Sequence, residues 1–226
     1  MIKTNKINVE LIDSMGTDLS VVNAARVSMD KTSSWSVDDE GNQALAEQDQ
    51  KLIRYLAKHK HFTPFTQVQL QYRIKAPIFV ARQWFRSNVG ITRNEVSRRY
   101  VDTEPEFFFP DIWRSRAPSV KQGSSPDSVK YSLYVQDECE NLCTTALETY
   151  ESMLAKGVAP ELARMVLPQN MFTEWVETAS LQAVVRICLL RLDSHAQVEI
   201  QDTAKQLADV VPSDMKHSFE ALLSNP

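Results

Sequence analysis

Glycine is scarce in this chain, at five in 226 residues. That scarcity excludes a glycine-rich phosphate loop of the Walker or dinucleotide type, so any nucleotide or cofactor must be held by side chains and helix ends. Cysteine is scarcer still, at three. An odd count argues against a disulfide framework, and no neighbouring histidine completes a metal set. Cys139 and Cys143 share one helical face, and Cys188 lies in the apolar run Val184–Leu190. All three read as small core residues, and none has the polar, basic setting that lowers a thiol pKa. Long apolar runs are also missing. Ala76–Ala81 is the longest of note, well short of the roughly 18–20 residues of a membrane helix. The opening Met1-Ile2-Lys3-Thr4-Asn5-Lys6 lacks the apolar core of a signal peptide. A cytoplasmic protein with no membrane partner is expected. Nor is there an excess of positive charge: 25 Lys and Arg against 29 Asp and Glu give a net charge of −4. That balance argues against broad nucleic-acid binding.

What is present fits one domain spanning residues 1–226, with ordinary apolar and charged content. Ile7–Ile12 alternates as a first strand. Asp18 is expected to cap a short helix through Val27, and Thr32–Gln43 reads as loop. Ala44–Lys58 is a helical pattern, with Leu45, Leu52, Ile53 and Leu56 near one stripe. Gln67–Ile74 is the clearest strand: Val68, Leu70, Tyr72 and Ile74 point one way, and Gln67, Gln69, Gln71 and Arg73 the other. Pro77 opens a helix to about Arg86 that puts Gln83 and Arg86 on one face. Arg114–Ser125 is a candidate mobile loop. Ser125-Pro126 reads as the cap and first turn of a long helix with a stripe from Val135 to Leu154, including Leu142, ended by Gly157. A short helix from Pro160 to Pro168 and two more, Ser180–Leu192 and Ala196–Val211, complete the reading.

Basic charge is concentrated in one place. Arg82, Arg86, Arg93, Arg98 and Arg99 fall within 18 consecutive positions, around Glu95, Gln83, Asn94, Ser97 and Tyr100. Arginine offers a planar fork of donors that fits phosphate and carboxylate. The same charges also suit a solvated basic face, but the neutral donors and acceptors among them are the kind that read a base or a sugar. Arg164 and Arg191 stand in apolar segments, where an arginine either snorkels or pairs with an acid or meets a ligand. His61 and Thr63 lie in a turn, which alone suits a surface histidine.

Arg82-Gln83-Trp84-Phe85-Arg86 and Asn94-Glu95-Val96-Ser97-Arg98-Arg99-Tyr100 resemble the signature of the flavin-dependent thymidylate synthases, Arg-Gln-Trp-x-Arg-His-Arg, a spacer, then Asn-Glu-x-Ser-x-Arg-Tyr. Further segments resemble the same family in order: Val21–Ser28, His61-Phe62-Thr63-Pro64-Phe65, Glu161–Pro168, and Leu190–Ile200 with its Ala196-Gln197-Val198-Glu199-Ile200. The resemblance implies an α/β fold, a curved, mostly antiparallel sheet with flanking helices, in a homotetramer with sites shared between subunits. It implies reductive methylation of deoxyuridylate (dUMP) to thymidylate, with methylenetetrahydrofolate as carbon donor, FAD as redox carrier and NADPH as reductant.

The resemblance also assigns residues. Gln83, Arg86, Glu95, Val96, Ser97, Arg98, Arg99, Arg164 and Arg191 match the dUMP side. Arg191 takes the catalytic role of favouring ionisation at ring N3, because a cation beside an imide stabilises its deprotonated form. Ser97, with no adjacent histidine to activate it, is expected to bind phosphate rather than attack. Glu95 is expected to shape the site. His61, Thr63, Arg86, Ser87, Asn88, Glu95, Ser180, Gln182 and Arg186 match the flavin side, and there the pattern departs. Ser87-Asn88 stands for His-Arg, the spacer to Asn94 is one residue longer, and Ser180-Leu181-Gln182 stands for Asn-x-Arg. Arg93 and Arg186 are expected to compensate for the lost charge. No metal is implied. These departures keep two alternatives open: a related pyrimidine-nucleotide hydroxymethylase, and a nucleotide-binding homologue without flavin chemistry.

Overall fold

The computed structural model describes residues 1–37, 41, 43–101, 103–117 and 123–225. Strands β1 (Ile2–Thr4) and β2 (Asn8–Met15) are followed by helix α1 (Asp18–Arg26). A short ribbon, β3 (Ser36–Val37) and β4 (Gln43–Ala44), leads into α2 (Glu47–Lys58), β5 (Gln69–Pro77) and α3 (Ile78–Trp84). Next come β6 (Ile91–Glu95), β7 (Glu106–Phe108), β8 (Arg114–Arg116) and β9 (Ser124–Ser128). The chain ends with α4 (Ser132–Ala155), α5 (Pro160–Ala163), β10 (Phe172–Ser180), α6 (Leu181–Arg191), α7 (Val198–Asp209) and α8 (Lys216–Leu223). Among the described residues no helix is long and apolar enough to cross a membrane.

The main sheet has the order β2-β5-β10-β6, with every pairing antiparallel. β5 carries the alternation expected of it: Leu70, Tyr72, Ile74 and Ala76 are fully buried, while Gln69, Gln71 and Arg73 are not. It starts after a 3-10 turn over Thr63–Gln67 and runs on to Pro77. The central strand β10 escaped the sequence reading, for a physical reason. Its inner row is Thr173, Trp175, Glu177 and Ala179, all buried, so an acid stands where the period-two pattern wants an apolar side chain.

Helices α3 and α6 both follow directly from sheet strands. Ser180 caps α6, as its position before the apolar run suggests, by accepting from the Ala183 N–H at 3.2 Å. α6 buries Leu181, Ala183, Val184, Val185, Ile187 and Cys188, so it is the apolar axis against which the sheet, α7 and α8 pack. Its far end delivers Arg191 to the surface.

Three expectations need correction. Asp18 is not the cap of α1; Thr17 is. The Asp18 carboxylate instead accepts from the N–H groups of His217 and Ser218, at 3.0 and 2.8 Å, at the start of α8, a helix absent from the sequence reading. Ser125-Pro126 does not open α4. Residues Ser124–Ser128 pair with Arg114–Arg116 instead, Ser125 bonds Asp127 within that ribbon, and the helix begins at Ser132. The expected loop Arg114–Ser125 therefore has ordered arms, and residues 118–122 of it lie outside the described residues. Finally, Leu142 belongs to the expected α4 stripe, yet it is 62% exposed, beside exposed Leu133 and Tyr134. Only Cys143, Leu147 and Tyr150 of that helix are buried.

Candidate active site

The ends of α3 and α6 meet. Arg191, the last residue of α6, donates through Nη2 to the Gln83 carbonyl oxygen at 2.8 Å. Arg86 is close enough that its charge, after burial, lowers the Arg191 pKa. Two neighbouring guanidiniums, one half-buried, are mutually unfavourable until an anion joins them. Gln83 and Arg86, from one sequence block, and Arg191, from a second more than a hundred positions on, are thereby brought to one place, and the place favours negative charge.

Residues 87–90 follow directly and carry the departure from the family pattern. They are tied down on all sides. Arg93 donates to the Ser87 carbonyl at 2.6 Å and to Asn88 Oδ1 at 3.1 Å. Arg186 donates to the Val89 carbonyl, and Ser180 N–H to the Gly90 carbonyl at 3.0 Å. Gly90 has φ +76°, and a Cβ there would sit 2.9 Å from Ser180 Oγ, so the close approach requires glycine. The other face of Arg93 is ion-paired to Glu177. Glu177 has no exposed surface and also accepts from the indole N–H groups of Trp84 and Trp175, at 3.1 and 3.2 Å. Burial raises the Glu177 pKa, against the pull of Arg93 and the indoles. The expectation that Arg93 compensates at the flavin is therefore corrected: its fork is turned inward and occupied. Arg186 is exposed. Gln182 has a buried Oε1 with no partner among the described residues.

A hollow of about 540 Å³ gathers a second group, Glu95, Val96, Arg98 and Arg164, with Lys75 and Thr173. Glu95 accepts from the Thr173 hydroxyl at 2.7 Å. Arg98 bonds the Thr103 carbonyl, and exposed Arg164 the Glu161 carbonyl at 3.4 Å. Ser97 Oγ accepts from Arg99 Nε at 3.2 Å, and Arg99 lies over the Tyr100 ring. His61 and Thr63 are elsewhere, lining a separate hollow of about 680 Å³ with Asn23, Ser28 and Gln67. A single copy thus brings some expected residues together and leaves others apart.

Burial pushes the Cys188 thiol up to about 12 and the Cys139 thiol up to about 11, so neither is an activated nucleophile. His195 is exposed and bonds Asp193 at 2.9 Å, within the turn between α6 and α7. Sequence reasoning gave no role to Glu177, Gln197, Glu199 or Arg114. The available signal was an acid inside an apolar strand pattern, and a Gln-x-Glu pair at the start of a helix.

The fold and this arginine face define a class: an α/β protein with an anion-favouring cluster of side chains at the ends of two helices. The chain belongs to the family described as thymidylate synthase complementing protein, Thy1, whose pattern matches residues 10–214. It is 37% identical over 214 residues to a flavin-dependent thymidylate synthase of Thermosipho africanus, covering 94% of this chain and 89% of that one. It is 40% identical over 206 residues to a flavin-dependent thymidylate synthase of Thermus thermophilus, covering 90% and 70%. Its fold is similar to a crystal structure of a UMP/dUMP methylase, PolB, from Streptomyces cacaoi bound with 5-Br dUMP, with TM-score 0.83, 29% identity, and 99% and 97% of the two chains covered.

Proposed function

We propose that this chain methylates dUMP at C5 to give thymidylate, with methylenetetrahydrofolate as carbon donor, FAD as redox carrier and NADPH as reductant. The observation that carries the reading is the meeting of Gln83, Arg86 and Arg191 at one anion-favouring place, in a chain whose named relatives are flavin-dependent thymidylate synthases. Arg86, Arg99 and Arg164 would bind phosphate, which takes two or more charged donors. Arg191 would stabilise negative charge on the pyrimidine ring as it develops. No thiol is required.

The donors present suit FAD. Arg186 and Arg86 supply charge beside Ser87 and Asn88, and the orphaned Gln182 Oε1 is an acceptor for a ligand N–H. FAD, when bound, carries the reducing equivalents. Glu95 and Ser180 would border it. His61 and Thr63 lie in a different hollow, which supports a homotetramer in which one copy supplies them to another copy's site, each copy being a single domain. The exposed Leu133, Tyr134 and Leu142 of α4 are available for such contacts. The test is conversion of dUMP by the purified chain with methylenetetrahydrofolate, FAD and NADPH, read as thymidylate by chromatography. Absence of thymidylate together with absence of dUMP binding removes the reading.

A second reading has its own observation. PolB has also been crystallised with 5-Br UMP, at the same TM-score of 0.83, so UMP belongs in the same assay as an alternative substrate.

A further inference from the structure

A continuous chain of side chains runs from the β8–β9 ribbon to the dUMP-side cluster. Arg114 Nη2 donates to Glu199 Oε1 at 2.6 Å. Gln197 Nε2 donates to Glu199 Oε2 at 2.9 Å. Gln83 Nε2 donates to Gln197 Oε1 at 2.5 Å. Glu199 is buried, at 7% exposure.

The chemistry of the two ends sets a direction. A guanidinium only donates and a carboxylate only accepts, while a glutamine amide does either, depending on which way it is turned. Glu199 faces Gln197, so Gln197 must turn its NH2 toward the carboxylate. Its oxygen then faces Gln83, and Gln83 must in turn give its NH2 to that oxygen. Each amide is fixed by the one before it. At the far end the Gln83 Oε1 is left over, and nothing among the described residues donates to that oxygen.

We propose that Glu199 and Gln197 are positioning residues which lock the Gln83 amide as a hydrogen-bond acceptor toward the nucleotide, and so select a uracil over a cytosine ring. The inference rests on Gln83 belonging to the dUMP shell, as in the functional reading above. Within a uracil nucleotide the ring offers one N–H donor, at N3, because N1 carries the sugar and both carbonyls accept. Cytosine has a lone pair at N3. An acceptor locked opposite N3 therefore meets a donor in dUMP and another acceptor in dCMP. Arg191 and Gln83 act in opposite senses on N3: the cation favours loss of its proton and the amide oxygen favours retention. The relay thereby also governs how readily the bound ring ionises.

The experiment is calorimetric titration of the full chain with dUMP and with dCMP. It compares wild type, Glu199→Gln, Gln197→Met and the double variant, with folding checked by circular dichroism. The wild type should prefer dUMP. Each single variant frees Gln83 to turn its NH2 outward. The dUMP:dCMP affinity ratio should then narrow about tenfold or more, the scale of an exchanged hydrogen bond, and part of that change should be a gain in dCMP affinity. The double variant should narrow it no further, because the links act in series. Gln197→Met leaves the Arg114–Glu199 pair in place, so the test survives if Glu199→Gln does not fold. An unchanged ratio in the folded variants, with dUMP still bound, overturns the relay alone, as do single effects that multiply in the double variant. A wild type that binds neither nucleotide overturns the functional reading and the relay together.

Discussion

Glu177 is enclosed entirely by donors: Arg93, Trp84 and Trp175 all point at its carboxylate. Its removal leaves a guanidinium only 11% exposed without its counter-charge. Breaking one side of a buried pair costs about 3–5 kcal/mol, mostly through the charge left behind. Glu177→Gln should therefore lose about that much stability in urea unfolding, and adding Arg93→Met should recover part of it. A Glu177→Gln protein as stable as wild type would show that Arg93 does not depend on the acid. The cysteines give a prediction of the opposite kind. With its thiol at about 12, Cys188 has only about one thiolate in ten thousand at pH 8, and thiolate is the reactive form. Changing Cys139, Cys143 and Cys188 together to Ala should leave most activity in any protein that stays folded. Alkylation of Cys188 in the wild type should be negligible at pH 8 and accelerate as pH rises, since the thiolate appears only as the proton is lost. Selective loss of activity with Cys188→Ala would point to a covalent mechanism.

Among the elements, the 87–90 turn and the start of α6 behave as one unit, because Gly90 packs on the residue that caps the helix. Gly90→Ala meets both a φ of +76° and a Cβ contact of 2.9 Å with Ser180 Oγ. A loss of about 1–3 kcal/mol is expected. Ser180→Ala removes only the cap, at about 1 kcal/mol. Because both act on one contact, the double variant should lose less than the sum of the two in thermal unfolding; strict additivity would mean the turn and helix are independent. Much of this architecture was legible in the sequence. β5 announced itself by clean alternation, and α6 by the apolar run Val184–Leu190. β10 was hidden because Glu177 interrupts its inner row, and α4's start because Pro126 suits a first helical turn as well as a ribbon. In the candidate site, the sequence pointed to residues that one copy brings together only in part. Gln83, Arg86 and Arg191 could be chosen from residue types and blocks. Their glutamine and glutamate supports could not, since hydrogen-bond direction depends on partners more than 80 positions away, as in Gln83–Gln197 and Arg114–Glu199.

At the scale of the whole molecule, the separation of the His61 hollow from the Arg191 cluster bears on assembly. If one subunit's His61 serves another's Arg191, mixing and co-refolding Arg191→Ala with His61→Ala should restore activity that neither variant has alone. A monomer by light scattering at micromolar concentration would contradict it. The order of the sheet has a further consequence, for the history of the chain as it is made. β10 lies between β5 and β6, pairing Phe172 with Pro77 and Trp175 with Glu95. Neither neighbour can pair with it until residues roughly 80 to 110 positions later have left the ribosome. Until then β5 presents an open edge beside β2, with the apolar row Leu70, Tyr72 and Ile74 uncovered. Contacts so distant in sequence form slowly, and an unpaired edge on a nascent chain is a template for the wrong strand, including one from another copy. Yield of folded protein should therefore respond to the pace of translation and to chaperone supply more than its final stability would suggest.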